Sequence, residues 1–168
     1  MTEAGLLLTH ALARACSDRA IDTLRLEKGY KVWGSDITAD YTPYEAGLGF
    51  CVNLDSGGDF IGRDALAAAA EHGPRRRLAT FTMDAEAPAG MVYGGEAILH
   101  EGVVVGVTSS GGFCPTVGKH VLLGYVPAEV SAATDGWGIE AYGEQLVATK
   151  QTPLNRSLYD PSRSKILA

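Results

Sequence analysis

Tyr30 and Trp33 stand three positions apart, directly after Arg25, Glu27 and a glycine at position 29. Two aromatic faces beside a charged pair and a turn-capable glycine suit a flat ring ligand, which stacks on the rings and meets the charges at its polar edge. Other chemistry-bearing groups offer less. Asp36, Asp40 and Glu45 scatter through a turn-rich segment without the ligand order of a calcium loop or a histidine partner, so they read as solvated surface carboxylates rather than a cation site. Gly47-Leu48-Gly49 lacks the third glycine and the strand-to-helix setting of a dinucleotide site. Cys114 has His120 nearby in sequence as a base, but Pro115 and Gly118 intervene. The run Ser109 to Thr116 reads as a glycine-rich structural loop instead. His72 reads as a cation in the last turn of a helix, with no catalytic partner. No metal ligands and no catalytic residue are assigned.

These residues need elements to hold them. Leu8, Ala11, Leu12 and Ala15 follow helical spacing, Ser17-Asp18 suggests a break, and Ile21 and Leu24 continue an apolar face until Gly29 closes the helix. Arg25 and Glu27 are two residues apart on that helix, so they do not face each other. As structural side chains they would tie the helix to the following loop. Residues 46–54 are expected to form a strand bent at its glycines, followed by a turn at Asp55 to Gly58. The alanine-rich run Asp64 to His72 predicts a second helix, stopped by Gly73-Pro74.

Beyond Pro74 the period changes to two. Short strands are expected over 78–83, 97–99, 103–108, 120–126, 139–142 and 145–149, with tight turns at His100-Glu101-Gly102 and Tyr142-Gly143-Glu144. The fold class is therefore α+β. A helical and mixed segment over 1–73 precedes a small antiparallel β-barrel over 74–168.

The 168 residues are enough for one sizeable core, and 46% hydrophobic with 20% charged residues is ordinary for a folded domain. A net charge of -6 argues against nucleic acid, and the lone basic run Arg75 to Arg77 reads as a solvated edge before a strand. No stretch approaches the roughly 18 apolar residues of a membrane span. The start lacks the basic region of a secretory signal, and the odd, widely spaced Cys16, Cys51 and Cys114 fit reduced buried thiols. A cytoplasmic protein is expected, which leaves the sequon Asn155-Arg156-Ser157 idle.

Several ordered motifs carry a more specific message. Asp22-Thr23-Leu24-Arg25-Leu26-Glu27-Lys28-Gly29-Tyr30, Trp33-Gly34-Ser35-Asp36-Ile37, Thr42-Pro43-Tyr44-Glu45-Ala46-Gly47-Leu48 and Asp59-Phe60-Ile61-Gly62-Arg63-Asp64-Ala65-Leu66 closely resemble the second half of the glycine-cleavage T-protein (aminomethyltransferase) superfamily. Thr108 to Thr116, Leu123-Gly124-Tyr125-Val126 and Tyr159-Asp160-Pro161 follow in the order of that family's C-terminal barrel. The resemblance runs from about residue 20 to the end.

Glu27 to Gly34 looks most like the folate-binding C-terminal part of dimethylglycine and sarcosine dehydrogenases. Ile21, where aminomethyltransferases usually have arginine, points the same way. The resemblance implies a folate-linked one-carbon transfer module using tetrahydrofolate, with flavin only on a partner chain. Tyr30 and Trp33 would line the pterin pocket, supported by Glu27. The family's acidic residues near the reacting nitrogen lie upstream of the matching region, so the module is not expected to be catalytically complete by itself. A flavoprotein or T-protein N-terminal partner, or a homo-oligomer, is expected. The alternative is a non-catalytic truncated paralogue acting as a binding or assembly module.

Overall fold

The computed structural model describes residues 20–56, 58–84, 86, 90–152 and 157–165. The helix expected at Leu8 to Ala15 and the break at Ser17-Asp18 lie outside these residues, as does Cys16. The first described element is a helix, α1, over residues 20–28. Gly29 closes it at φ 75°: its N–H reaches the Leu26 carbonyl at 3.0 Å and the Tyr30 N–H reaches that of Arg25 at 2.8 Å, a glycine stop of the Schellman type. The second helix, α2, spans Arg63–His72, close to its expected range.

Residues 46–54 do not form the expected strand. Glu45 Oε2 accepts the N–H of Thr42 at 2.9 Å, which folds the chain into a turn. A single 3-10 turn, Gly49–Cys51, follows. Phe50 is left exposed, and no strand pairs alongside. Loose apolar alternation is not enough where local side-chain bonds already satisfy the backbone.

Seven antiparallel strands follow: β1 Arg76–Asp84, β2 Ala97–His100, β3 Val103–Cys114, β4 Lys119–Pro127, β5 Trp137–Ala141, β6 Glu144–Val147 and β7 Thr149–Lys150. Their order in the sheet is β6-β5-β2-β3-β4-β1-β7. The sheet curls because the final stretch serves both of its ends. β6 pairs with β5, the Ala148 N–H bonds the Trp137 carbonyl at 3.0 Å, and β7 then pairs with β1. The hairpins β2–β3 and β5–β6 turn through Glu101-Gly102 and Tyr142-Gly143, all at positive φ, as the sequence predicts.

The run Ser109 to Thr116 is a loop only at its last two residues, Pro115 and Thr116, which lie in a turn. β3 continues through it to Cys114, pairing Ser110 to Gly112 with Leu123 to Val121 after a bulge near Thr108. Its glycines serve close packing rather than turning. A Cβ on Gly111 would come within 3.2 Å of the Val92 carbonyl oxygen, and one on Gly112 within 3.3 Å of the Leu26 side chain.

β4 is buried on both faces. On the inside, Leu122 and Val126 join Phe81, Met83, Ile98, Trp137 and Ile139, residues from both halves of the curled sheet. On the outside, Val121, Leu123 and Tyr125 join Leu78, Cys114 and Leu26 of α1. The outer cluster seats the helix that carries the aromatic loop. Phe81 is fully buried in the inner cluster. Phe81→Ala is expected to cost about 3–5 kcal/mol, read as a lowered urea midpoint at unchanged slope.

Candidate functional site: an aromatic loop braced by a buried carboxylate

Leu26 points α1 into the outer cluster, which turns its neighbours on either side toward different partners. Arg25 reaches the loop after the helix: Nη1 donates to Asp36 Oδ2 at 2.7 Å and Nη2 to Ser110 Oγ at 3.0 Å. Glu27, 2% exposed, turns the other way and accepts the Thr116 N–H on Oε1 at 2.9 Å. The two therefore do not bridge each other, as their spacing requires, and each ties the helix to a different part of the chain.

Asp36 is 0% exposed, not a solvated carboxylate as its turn-rich setting suggests. Besides Arg25, it accepts the Val32 N–H at 3.0 Å and the Ser109 hydroxyl at 2.5 Å. Its own carbonyl accepts the Tyr125 hydroxyl at 2.9 Å. Loop, helix and barrel strands thus converge on one residue. Burial pushes the Tyr125 hydroxyl pKa up, aided by Tyr41 and the charges of Asp36 and Glu45, so it stays a donor at neutral pH. Tyr125 also stacks on Tyr41, with ring centroids 3.7 Å apart and planes 7° from parallel. Glu45 is buried as well, held by Thr42 and by the Arg76 N–H. The Thr42-x-x-Glu45 spacing is a capping-box pattern and was the available sign of the turn; Arg25 also bonds Asp22 on its own helix at 3.3 Å, so nothing local pointed to Asp36.

Tyr30 and Trp33 share the loop that Asp36 braces and are 61% and 73% exposed. Glu27, the third candidate, lies inside against Thr116, so it supports the helix end rather than lying beside the rings. A cleft of about 560 Å³ opens elsewhere, between Tyr41, Arg75, Arg76, Val107 and Tyr125, and none of the three candidates lines it. The rings therefore stand open to solvent, outside that cleft.

Cys114 and His120 cannot cooperate. Phe113 pairs with His120 and Cys114 with Lys119, so the thiol and the imidazole project from opposite faces of the sheet. Burial pushes the Cys114 thiol up to about 12, helped by the Glu27 charge and opposed by Arg25. Among the described residues no group of three His, Cys, Asp or Glu could hold a metal ion, and no helix is long and apolar enough to cross a membrane.

The architecture is that of an α+β module: a curled antiparallel half-barrel with a helix and an aromatic loop fixed to its outer face. Residues 76–160 match the glycine cleavage T-protein C-terminal barrel domain, and residues 9–56 match the GCVT N-terminal domain. The chain belongs to the glycine cleavage T-protein family. It is 42% identical over 129 residues to an aminomethyltransferase of Synechocystis sp., covering 77% of this chain and 34% of that protein. A mitochondrial dimethylglycine dehydrogenase of Mus musculus is 37% identical over 153 residues, covering 88% of this chain and 17% of that protein. The crystal structure of glycine cleavage system aminomethyltransferase T from Bartonella henselae superposes with a TM-score of 0.69 at 28% identity, over 80% of this chain and 37% of that one. The chain spans about a third of the length of the aminomethyltransferases it matches.

Two outcomes follow from the site. Asp36→Ala takes from the Arg25 guanidinium its buried carboxylate partner, leaving it Asp22 and Ser110, and is expected to lower stability by about 3 kcal/mol in chemical denaturation. At pH 8 iodoacetamide should alkylate the exposed Cys51 and spare Cys114, whose thiol stays protonated several units below its pKa. Peptide mass mapping reads the difference.

Proposed function

We propose that this chain is a folate-linked one-carbon transfer module, similar to the aminomethyltransferase-like part of a dimethylglycine or sarcosine dehydrogenase, and that its aromatic loop forms one wall of the tetrahydrofolate site. The observation that carries this reading is the exposure of Tyr30 and Trp33 on a loop fixed by a buried carboxylate. Large exposed rings on a rigid support fit the flat face of a pterin and need a second surface to enclose it. Tetrahydrofolate, when bound, supplies the nitrogen that takes up the one-carbon unit. Tyr30 and Trp33 hold and orient its ring, and Asp36, Arg25 and Tyr125 keep them in place. The contribution of this chain is proximity and orientation. No acid or base is assigned to it.

The opposite wall is the work of a partner: the remaining portion of a T-protein-like fold, and a flavin-bearing chain that oxidises the N-methyl substrate. Exposed Ile21, Leu24 and Phe50 supply further apolar surface for that contact or for a second copy. Cytoplasmic placement belongs to the same reading. A second reading is a non-catalytic binding or assembly module that keeps the barrel, favoured by Glu27, which turns inward to the Thr116 N–H instead of lying beside the rings.

Titration calorimetry with tetrahydrofolate, on the chain alone and with the partner, separates the two. Heat of binding that disappears in Tyr30→Ala, with circular dichroism unchanged, supports the folate wall; no heat in either setting leaves the assembly module. Light scattering is expected to show an oligomer or a complex, and a monomer at high concentration would count against the covered apolar face.

A further inference from the structure

The end of α1, one residue before the glycine that launches the aromatic loop, is gripped by the far end of the chain. We propose that Ser157, Leu158, Tyr159 and Asp160 form a positioning clasp that sets where Tyr30 and Trp33 stand. The inference rests on the reading of those two residues as a ligand-facing wall. The last carbonyls of a helix have no partners within it. Here the Glu27 carbonyl accepts the N–H groups of Leu158 at 3.0 Å and Tyr159 at 2.9 Å, and the Ser157 hydroxyl, which donates to the nearer Tyr159 carbonyl and so shapes the clasp, lies 3.2 Å from the Glu27 oxygen.

Lys28 adds a charged hold. Its ammonium lies 3.4 Å from the Tyr159 carbonyl, 3.5 Å from that of Asp160, 4.0 Å from the Asp160 carboxylate and 5.8 Å from the Tyr159 ring centroid. A cation in the last turn is also where the helix dipole favours one. The clasp is itself shaped. Asp160 sits at φ 45°, and its carboxylate accepts the Ser164 hydroxyl at 3.0 Å and the Lys165 N–H at 3.2 Å. Burial opposes the charge on Asp160, but these bonds and Lys28 outweigh it and hold the carboxyl below its usual range. Leu158 packs on the outer cluster and roots the clasp in the barrel.

The loop is therefore fixed at both ends by different means. Asp36 fixes its far side from the barrel, and the clasp fixes its point of departure. The clasp residues touch no candidate ligand-binding ring on the loop; they are positioning residues, acting through the end of α1.

Amide exchange on the full chain, read residue by residue by NMR, tests this directly. In the Ser157→Ala/Asp160→Ala variant, exchange at Gly29 and Tyr30 should rise about tenfold, while amides of β4 keep their wild-type rates. Asp160→Glu, which keeps the charge, should restore much of the protection. Tetrahydrofolate affinity, measured with the partner that supports binding, should fall about tenfold in the double variant at nearly unchanged melting temperature. Unchanged exchange at Gly29 and Tyr30, or an equal rise along β4, overturns the clasp. Faster exchange with undiminished affinity overturns its positioning role. If the wild-type chain takes up no tetrahydrofolate under any condition, the folate reading fails, and the exchange pattern alone decides whether the clasp holds the loop.

Discussion

A carboxylate with no access to water holds helix, aromatic loop and barrel together. An unpaired charge in such a place would cost several kcal/mol, so Asp36 is tolerable only because every direction around it supplies a donor. The guanidinium comes from α1, the N–H from its own loop and the hydroxyl from β3. The requirement works in reverse as well. Once the carboxylate is buried, helix, loop and barrel cannot shift independently without stranding it, so one ion-pair network fixes the spatial relation of three elements.

The barrel gives that network something rigid to stand on. β4, apolar on both faces, belongs to two clusters at once: its inner side chains fill the curl of the sheet, and its outer ones receive Leu26. β3 contributes hydroxyls and missing side chains instead of bulk. Ser109 and Ser110 reach the charged pair, and Gly111 and Gly112 let neighbouring backbone and side chains approach. A strand that reads as a loop by composition is so composed because another layer lies directly on it.

That distinction marks how far the sequence could be read. The barrel strands, the hairpin turns with their glycines and the helix stop at Gly29 were legible because each depends on local period or local backbone geometry. The two failures, residues 46–54 and 109–114, share a cause: in both, the decisive partner is not the next residue along. For the first it is the Thr42–Glu45 bond that ends regular pairing before it starts. For the second it is the surface of α1, more than eighty positions earlier in the chain. Asp36 was misread for the same reason, since nothing within a few residues announces Ser109 or Tyr125. Tyr30 and Trp33 stand exposed as the aromatic pair the sequence displays, whereas the apparatus that holds them is built from distant residues and had no local sign.

The two N–H donors on the Glu27 carbonyl carry a consequence for biosynthesis. Leu158 and Tyr159 follow Glu27 by more than a hundred and thirty positions. During vectorial synthesis α1 leaves the ribosome long before the groups that secure its final turn exist, and the β7 pairing that completes the sheet also waits for late residues. The aromatic loop therefore cannot take its settled position until residues 157–160 have left the ribosome, so a product terminated before them would display rings without a fixed place to present them.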